Sequence, residues 1–307
     1  MTLVALRNLL KRILPPMQIH IWGGLGSQLF ALLALDEVQN RFPSRKFRVV
    51  FHSGGVTERK PDLLELIPQG VEISFVSDFI ESSEGYTHQQ TKNPNSSLAK
   101  VFVRDLITKF KLVTSWDNSS SEPTFWTIQI RGHYRMIRVS SDSLNRVFDR
   151  IFDSKFSTET ENCLSVNSIH FRIGDLVGLK GIIDPEILVN VAETIQYENN
   201  LKFRILSDSE DIASHYLSKI ETVSSNKSLG TWETIEIGYK SEIFLGTLSK
   251  ISYWIVILRV LGRPEMLSYL PKSSAEEILT FFRHYRIQAK IEPYDYALIE
   301  SPETSLE

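Results

Sequence analysis

The sequence has little cysteine and no surplus of charge of either sign. Cys163 is the only cysteine in 307 residues, which excludes an internal disulfide and leaves no cysteine cluster to hold zinc. This composition favours a reducing compartment, so we expect the protein in the cytoplasm. With 34 Lys and Arg against 37 Asp and Glu, the net charge of -3 gives no general attraction to nucleic acid or to an anionic membrane. Local groups must therefore supply any binding of phosphate.

Long apolar runs are also missing, because no uncharged apolar stretch reaches the roughly 18 residues that a membrane-spanning helix needs. The opening segment, residues 1–15, has Leu and Ile at helical spacing set against Arg7, Lys11 and Arg12. This pattern predicts an amphipathic helix. Two placements stay open for it: packing on its own domain, or peripheral contact with the inner face of the plasma membrane.

Two phosphate-binding fingerprints are incomplete or absent. The stretch WGGLGSQLF places Leu29 where the third glycine of a dinucleotide-binding loop belongs, and no GKS or GKT sequence supplies a P-loop. These absences weigh against a nicotinamide-dependent oxidoreductase and against a P-loop nucleotidase.

Strand-like and helix-like segments alternate in two successive series, with a break between about Phe152 and Glu161. The chain is 42% apolar, which is enough to bury two cores. We therefore predict an α/β protein with two Rossmann-like domains, residues 1–155 and 156–307, facing each other across a cleft. The segment TFWTIQIRGHYRMI is expected to have strand character.

Chemistry-bearing residues follow three of the predicted strands. Gly24, Gly26, Ser27 and Gln28 come directly after the first strand, at the start of a predicted helix, where backbone N–H groups favour an anion. A purely structural turn is the alternative; it explains the glycines, but it explains less readily the Ser27-Gln28 pair directly after them.

The segment IHFRIGDLVG contains the second group, His170, Arg172 and Asp175. Alternation along the strand places His170 and Arg172 on one face and Ile173 on the other, so arginine is expected to be tolerated at position 173. A guanidinium at the carboxyl end of a strand can clamp a diphosphate, although a surface ion pair between Arg172 and Asp175 is the alternative.

The third group lies in GTLSKISYW, where Thr247 and Ser249 end a strand and begin a helix. Hydroxyls in this place either bind phosphate or cap the helix.

The order of these segments resembles that of the bacterial α-1,2-fucosyltransferase family. WGGLGSQLF is similar to the family's GGLGNQ opening, IHFRIGDLV to its HxRRGD segment, RILSDSEDI to its FSDD segment, and IFLGTLSKISYW to its ISNSTFSWW segment. RGHYR is more loosely similar to its GYWQ segment. The chain departs from the family pattern at Ser27, Ile173 and Ser209.

The resemblance implies a GT-B glycosyltransferase that inverts the sugar carbon, requires no metal and uses GDP-fucose as the first-choice donor. The acceptor would be a glycan or a lipid-linked oligosaccharide in surface polysaccharide or O-antigen synthesis. By the same resemblance, Arg172 contacts the diphosphate, Thr247 and Ser249 contact phosphate oxygens, and His170 and Asp208 contact the nucleoside. The glycine loop, with Ser27 and Gln28, closes over the donor sugar and the acceptor.

Two questions stay open at this point. The candidates for the general base are Asp175, His52 and Glu58, and Tyr134 with its neighbours His133 and Arg135 either lines the acceptor side or belongs to an exposed strand. A non-catalytic protein that binds nucleotide sugars in the same cleft is the alternative function. Release of a nucleoside diphosphate would distinguish the enzyme from the binding protein.

Overall fold

The computed structural model describes residues 14–52, 61–76, 111–117, 122–156, 166–173, 180–223 and 229–300. The chain divides into two compact units, Met1–Arg150 (unit 1) and Ile151–Glu307 (unit 2). Each unit contains a parallel β-sheet with helices, which confirms the predicted α/β class and its two Rossmann-like parts. The cleft stays a prediction, and the opening amphipathic helix lies outside the described residues.

Unit 1 begins with a strand, a glycine turn and a long helix. Its elements are β1 (Met17–Ile21), α1 (Leu25–Arg41), β2 (Phe47–His52), β3 (Glu72–Val76), β4 (Val113–Ser115), β5 (Gln129–Arg131) and most of α2 (Ser141–Lys155), whose last five residues belong to unit 2. The described strands form a parallel sheet in the order β3-β2-β1-β5-β4. Along the chain the sheet extends from β1 through β2 to β3 on one side; β4 and β5 then lie on the other side of β1, with β5 next to it.

Two carboxylates on α1 hold the start of α2. Arg146 donates to Asp36 through Nε at 3.0 Å and Nη2 at 2.7 Å, while the N–H of Ser140 donates to Glu37 at 2.7 Å. Ser140 in turn accepts a hydrogen bond from the N–H of Ser143 at 3.2 Å, so of the two serines that could cap α2 from the sequence, Ser140 and Ser141, it is Ser140 that does so. Asp36 and Glu37 are buried, and these partners compensate for the loss of hydration.

Unit 2 repeats the strand and helix alternation with more elements. They are β6 (Asn167–His170), β7 (Lys180–Ile183), α3 (Pro185–Asn199), β8 (Phe203–Leu206), α4 (Glu210–Tyr216), α5 (Thr231–Lys240), β9 (Phe244–Leu245), α6 (Lys250–Gly262), β10 (Ser268–Pro271), α7 (Lys272–Tyr285), β11 (Ile291–Tyr294) and β12 (Leu298–Glu300). The main sheet is parallel with the order β11-β10-β9-β6-β8, and β7 pairs with β12 in a small antiparallel sheet. Its strands follow the doubly wound 2-1-3-4-5 pattern, which has its topological switch point between β6 and β9.

Local signals explain several boundaries, and one expected strand is shorter than its sequence suggests. Asp184 caps α3 by accepting a hydrogen bond from the N–H of Glu186 at 3.0 Å, and Pro185 occupies the first turn. The expected strand TFWTIQIRGHYRMI is reduced to Gln129–Arg131, because Gly132, Tyr134 and Met136 all have positive φ angles that an extended strand cannot hold.

A buried arginine on α6 fastens three chain segments of unit 2 together. Arg259 is 1% exposed, and its guanidinium donates to five backbone carbonyls and one hydroxyl. The acceptors are Gly238 O, Tyr239 O, Ser241 O, Glu242 O, Leu267 O and Ser268 Oγ. Three of these carbonyls belong to the end of α5 or the residue after it, where a helix has no partners of its own for them. Burial lowers the pKa of Arg259 to about 9, so the side chain is a cation at neutral pH.

Replacing Arg259 by lysine should destabilise unit 2, because an ammonium group has three donors at one point and cannot reach acceptors spread around a planar fork. We expect Arg259→Lys to lower the free energy of unfolding by about 3 kcal/mol or more, since several buried carbonyls lose their partner. Urea unfolding followed by circular dichroism measures this free energy. The matched control is Arg263→Lys, whose guanidinium donates to two carbonyls among the described residues, Tyr239 O and Lys240 O; an equal loss in both variants would contradict the role of Arg259.

Candidate functional site

The candidate site of unit 2 lies at the carboxyl edge of its parallel sheet. The neighbouring strands β8, β6 and β9 end at Leu206, His170 and Leu245. Asp208, Arg172 and Thr247 follow these ends by two residues each. Because parallel strands end at one edge, the structure brings the predicted residues of three separate segments together at the switch point. Ligands of open α/β sheets bind in this position.

One hydroxyl connects the ends of β6 and β9. Ser252 Oγ lies 2.7 Å from His170 Nδ1 and accepts the N–H of Thr247 at 3.0 Å. Ser252 is fully buried and His170 is 5% exposed. With its Oγ accepting from Thr247, Ser252 can donate its own proton to His170 Nδ1, which leaves the ring proton on Nε2.

The Thr247 side chain is buried beside this connection. It is 4% exposed, and its Oγ1 has no hydrogen-bond partner among the described residues. A buried hydroxyl without a partner costs about 1–3 kcal/mol of folding free energy. A ligand group that forms a hydrogen bond with this hydroxyl would therefore bind favourably there.

Gly246 permits this close packing at the strand end. A Cβ at Gly246 would lie 2.7 Å from Leu270 Cδ2 and 3.0 Å from Ser252 Cβ. The carbonyl of Gly246 also accepts a hydrogen bond from the Tyr294 hydroxyl at 2.7 Å. The glycine therefore fixes the path of the chain into Thr247.

Helix α6 begins immediately after Thr247. Ser249 caps it by accepting the N–H of Ile251 at 3.2 Å, so the helix-cap interpretation of Ser249 holds. The other N–H groups in the first turn of a helix have no acceptor within that helix, and the helix dipole places partial positive charge there. The 13-residue α6 thus presents an anion-binding end beside the buried Thr247 hydroxyl.

Charged groups surround His170 and act on its protonation. The pKa of His170 is lowered to about 4, mainly by burial; the Asp208 carboxylate opposes this shift and the Arg172 guanidinium adds to it. Asp208 Oδ1 accepts the N–H of Ile173 at 3.0 Å, which fixes the carboxylate beside the end of β6. The ring of His170 is therefore neutral at pH 7, and Arg172 and Asp208 lie close enough to it to interact electrostatically.

The expectation that Ile173 would tolerate arginine is wrong. Strand β6 ends at His170, so alternation does not extend to position 173, and Ile173 is 1% exposed within the apolar core of unit 2. An arginine there would bury an unpaired charge.

The glycine loop of unit 1 occupies the corresponding edge of the other sheet. Gly23 has φ +79° between β1 and α1, and Gly24 is the N-cap of α1. Gln28 is buried and donates from Nε2 to the carbonyl of Gly23 at 3.0 Å, so it closes the turn. A Cβ at Gly23 would lie 3.0 Å from Ser27 Oγ, and Gly26 is buried in the first turn. The predicted loop residues are thus together at the start of α1.

Tyr134 has a structural position within unit 1. Its side chain is 1% exposed, and its hydroxyl donates to the carbonyls of His20 and Ile130, both at 2.8 Å. The N–H groups of His133 and Tyr134 donate to Asp117 Oδ1, which holds the turn with positive φ. This arrangement gives no support to an acceptor contact by Tyr134.

Several predicted residues lie outside the described residues: Gly174, Asp175, Glu58 and Cys163. Trp254 is a core aromatic at 1% exposure, whereas Trp232 is half-buried with the Lys155 ammonium 5.6 Å from its ring centroid. In the parts of the chain that the structure describes, no cluster of three or more His, Cys, Asp or Glu side chains could hold a metal ion. Nor does any helix within those parts have the length and apolar character needed to cross a membrane.

A separate groove of about 780 Å³ lies at the opposite edge of the sheet of unit 2. Its lining residues precede β10 and β11, and they include the exposed cations Arg283, Arg286 and Lys290. The predicted site residues do not line this groove.

Sequence reasoning missed Ser252 and His20. Ser252 lies in a helix of apolar residues, where serine carries no signal of its own; only its position five residues after Thr247 marks it. His20 occupies an ordinary strand position, and its only signal is a second histidine, His52, at the end of the next predicted strand.

Acid should destabilise unit 2 through His170. Its folded pKa of about 4 lies below the ordinary value of 6.5, so the unfolded chain takes up a proton first and stability falls as the pH drops from about 6.5 towards 4. At pH 5 this proton uptake lowers the free energy of unfolding by about 2 kcal/mol. We expect the change in unfolding free energy between pH 7 and pH 5 to be smaller by about that amount in His170→Gln. The exposed His215→Gln is the control, and an unchanged pH dependence in His170→Gln would contradict the neutral buried ring.

Comparisons with known proteins give no family. No protein-family model matches the chain, and no curated protein is significantly similar to it. Among solved structures, POFUT1 in complex with GDP is similar at 10% identity and a TM-score of 0.38, covering 83% of this chain and 98% of that one. The fucosyltransferase NodZ from Bradyrhizobium has 14% identity and a TM-score of 0.38, covering 93% and 98%. A family 9 glycosyl transferase from Veillonella parvula has 8% identity and a TM-score of 0.41, covering 84% and 81%. At these scores the similarities carry no argument, so the interpretation of the site rests on its own geometry.

Proposed function

We propose that the chain is an inverting glycosyltransferase whose nucleotide-sugar donor binds through its diphosphate at the switch point of unit 2. The observation that carries this proposal is the buried Thr247 hydroxyl without a partner among the described residues, directly before the first turn of α6. A hydroxyl donor, helix-end N–H groups and a nearby guanidinium form the set of donors that a diphosphate requires.

In glycosyl transfer, negative charge develops on the diphosphate as it leaves the sugar, and donors fixed in advance stabilise that charge. The first turn of α6 and Thr247 Oγ1 supply fixed dipoles. Arg172 supplies a full positive charge on a planar fork that can hold two oxygens at once. With these groups acting together, we propose that transfer needs no divalent metal.

His170 and Asp208 would position this machinery. His170 holds Ser252, and Ser252 holds the backbone of Thr247, so the histidine orients the phosphate donors through two hydrogen bonds. Asp208, fixed by the N–H of Ile173, lies beside the proposed donor site and is available to a nucleoside. Ser249, already a helix cap, can still direct its own proton to a phosphate oxygen.

The motif resemblance supplies the finer part of the proposal. On that basis GDP-fucose is the first donor to test, a glycan or lipid-linked oligosaccharide is the acceptor class, and surface polysaccharide or O-antigen synthesis at the inner face of the plasma membrane is the setting. Gly24, Gly26, Ser27 and Gln28 of unit 1 would approach the donor sugar and the acceptor.

GDP should stabilise the protein against heat in the presence of EDTA, because the Arg172 guanidinium and the N–H donors of α6 take the place of a metal cation. At about 100 times its dissociation constant, a ligand adds roughly 2.7 kcal/mol to the free energy of unfolding. Thr247→Val keeps the shape and removes the hydroxyl, so it should weaken GDP binding by about 5- to 30-fold. Thermal-shift titrations with GDP, UDP and ADP measure these affinities.

Thr194→Val is the matched control, because its hydroxyl is exposed on α3 and donates to Asn190 O. It should leave the titration unchanged. Stabilisation that appears only with magnesium and disappears with EDTA would contradict the metal-free mechanism. Equal GDP affinity in Thr247→Val and the wild type would contradict the proposed diphosphate position.

A further inference from the structure

The groove at the amino edge of the sheet in unit 2 contains three exposed cations. Its volume of about 780 Å³ is within the range of small-molecule sites. Arg283 lies in the last turn of α7, Arg286 follows that helix, and Lys290 precedes β11. The surface arginine Arg48 pairs with Glu72 at 2.6 Å, whereas none of the three groove cations has an ion-pair partner among the described residues. Their charges are therefore available to an anionic ligand.

Most of the other residues that line the groove are apolar. Leu279, Ile287 and Ala289 are half-buried, and Pro264 lies among them at the surface. Glu265 is the only carboxylate in the lining, so three positive charges stand against one negative charge. The groove thus combines positive charge with apolar surface from which water is favourably displaced. A ligand that is anionic in one part and apolar in another matches this lining.

Backbone hydrogen bonds fix the two chain segments that form the groove. In the turn before β10, the N–H of Met266 donates to Arg263 O at 3.0 Å. The N–H of Ser268 donates to Lys290 O at 3.0 Å, which ties the start of β10 to the residue before β11. The lining residues therefore have defined positions before any ligand arrives, and less conformational entropy is lost on binding.

Arg286 has a backbone conformation that suits a different residue. Its φ angle is +58°, in the left-handed region that glycine usually occupies after a helix. The N–H groups of Arg286 and Ile287 donate to Arg283 O and Phe282 O, both at 3.2 Å, so backbone donors end the helix without any side chain. Glycine would form the same helix end with less strain. The arginine at this position is therefore explained by what its side chain binds rather than by the fold.

We propose that this groove binds an anionic phospholipid and attaches unit 2 to a membrane surface. Arg283, Arg286 and Lys290 hold the phosphate, while the apolar part of the lipid lies against Leu279 and Ile287. Guanidinium groups bind phosphate oxygens in pairs, and each cation near an anionic membrane adds to the attraction. No aromatic ring lines the groove, so it lacks the stacking surface on which nucleobases bind. This attachment does not depend on which ligand binds beside Thr247 at the opposite edge of the sheet.

Vesicle binding by the full chain tests the proposal. The protein should sediment with vesicles that contain phosphatidylglycerol in phosphatidylcholine, but not with phosphatidylcholine alone, and added salt should weaken the binding. Arg283→Gln and Lys290→Gln should each weaken binding to the anionic vesicles by about fivefold. Lys272→Gln is the matched control, because it removes the same charge from the opposite end of α7, and it should bind as the wild type does.

Arg286→Gly separates the loss of binding from a loss of folding. It should also weaken vesicle binding by about fivefold. Its thermal midpoint should stay at the wild-type value or rise, because glycine adopts a φ angle of +58° without strain. Weaker binding by a protein of equal or greater stability identifies the guanidinium as a binding group. Loss of the GDP thermal shift in this variant would instead make the groove a nucleotide site and would contradict the proposal.

Two further outcomes would overturn the lipid site. Equal binding of the wild type and all three groove variants to anionic vesicles would leave the groove without a role in membrane contact. A thermal shift with inorganic phosphate that Arg286→Gly abolishes, without vesicle binding by the wild type, would show a site for soluble phosphate. Vesicle binding that depends on the groove in a protein that binds no nucleoside diphosphate would support the lipid site and contradict only the proposed glycosyl transfer.

Discussion

The buried Ser252 hydroxyl is the contact on which the candidate site of unit 2 depends. It pairs with His170 at the end of β6 and with the backbone N–H of Thr247 after β9, so one side chain bridges the switch point of the sheet. Removing it would leave His170 Nδ1 and the N–H of Thr247 without this partner, and the segment that leads into α6 would lose a fixed contact. Gly246 makes the contact possible, since any side chain there would collide with Leu270 and crowd Ser252. The position of the Thr247 hydroxyl follows from these two constraints.

The two units place buried histidines at the same edge of their sheets, but with different neighbours. Each places a neutral, buried histidine at the carboxyl edge of a parallel sheet, near the start of a helix. In unit 2 the histidine is held by a serine and is surrounded by hydroxyls, helix N–H groups and Arg172, which suits an anion. In unit 1 the histidine His20 pairs with His52 instead, and the Trp22 ring lies against both imidazoles.

Much of this arrangement is predictable from the sequence, because its signals are local. Strand and helix alternation identifies both sheets, and Asp184 and Ser249 cap their helices as their positions suggest. The convergence of His170, Arg172, Asp208 and Thr247 follows from the rule that parallel strands end at one edge.

The predictions made from the sequence fail where tertiary packing determines the environment of a residue. Strand alternation predicts an exposed side for Ile173, but the strand ends at His170 and the core of unit 2 encloses Ile173. Tyr134 resembles an exposed aromatic residue between basic neighbours, but a turn with positive φ directs it into unit 1. Ser252 and the His20–His52 pair depend on contacts between residues that are 82 and 32 positions apart, which no local pattern encodes.

The central claim is that unit 2 stabilises a departing diphosphate, and turnover by Arg172 variants tests it most directly. GDP release from a nucleotide sugar should fall by at least about 10²-fold in Arg172→Ala, and Arg172→Lys should recover little of it, because lysine restores the charge without the planar fork. Arg48→Ala, which replaces a surface arginine of β2 paired with Glu72, should retain the wild-type rate. Near-normal release by Arg172→Ala, with its fold shown intact by circular dichroism, would contradict the account.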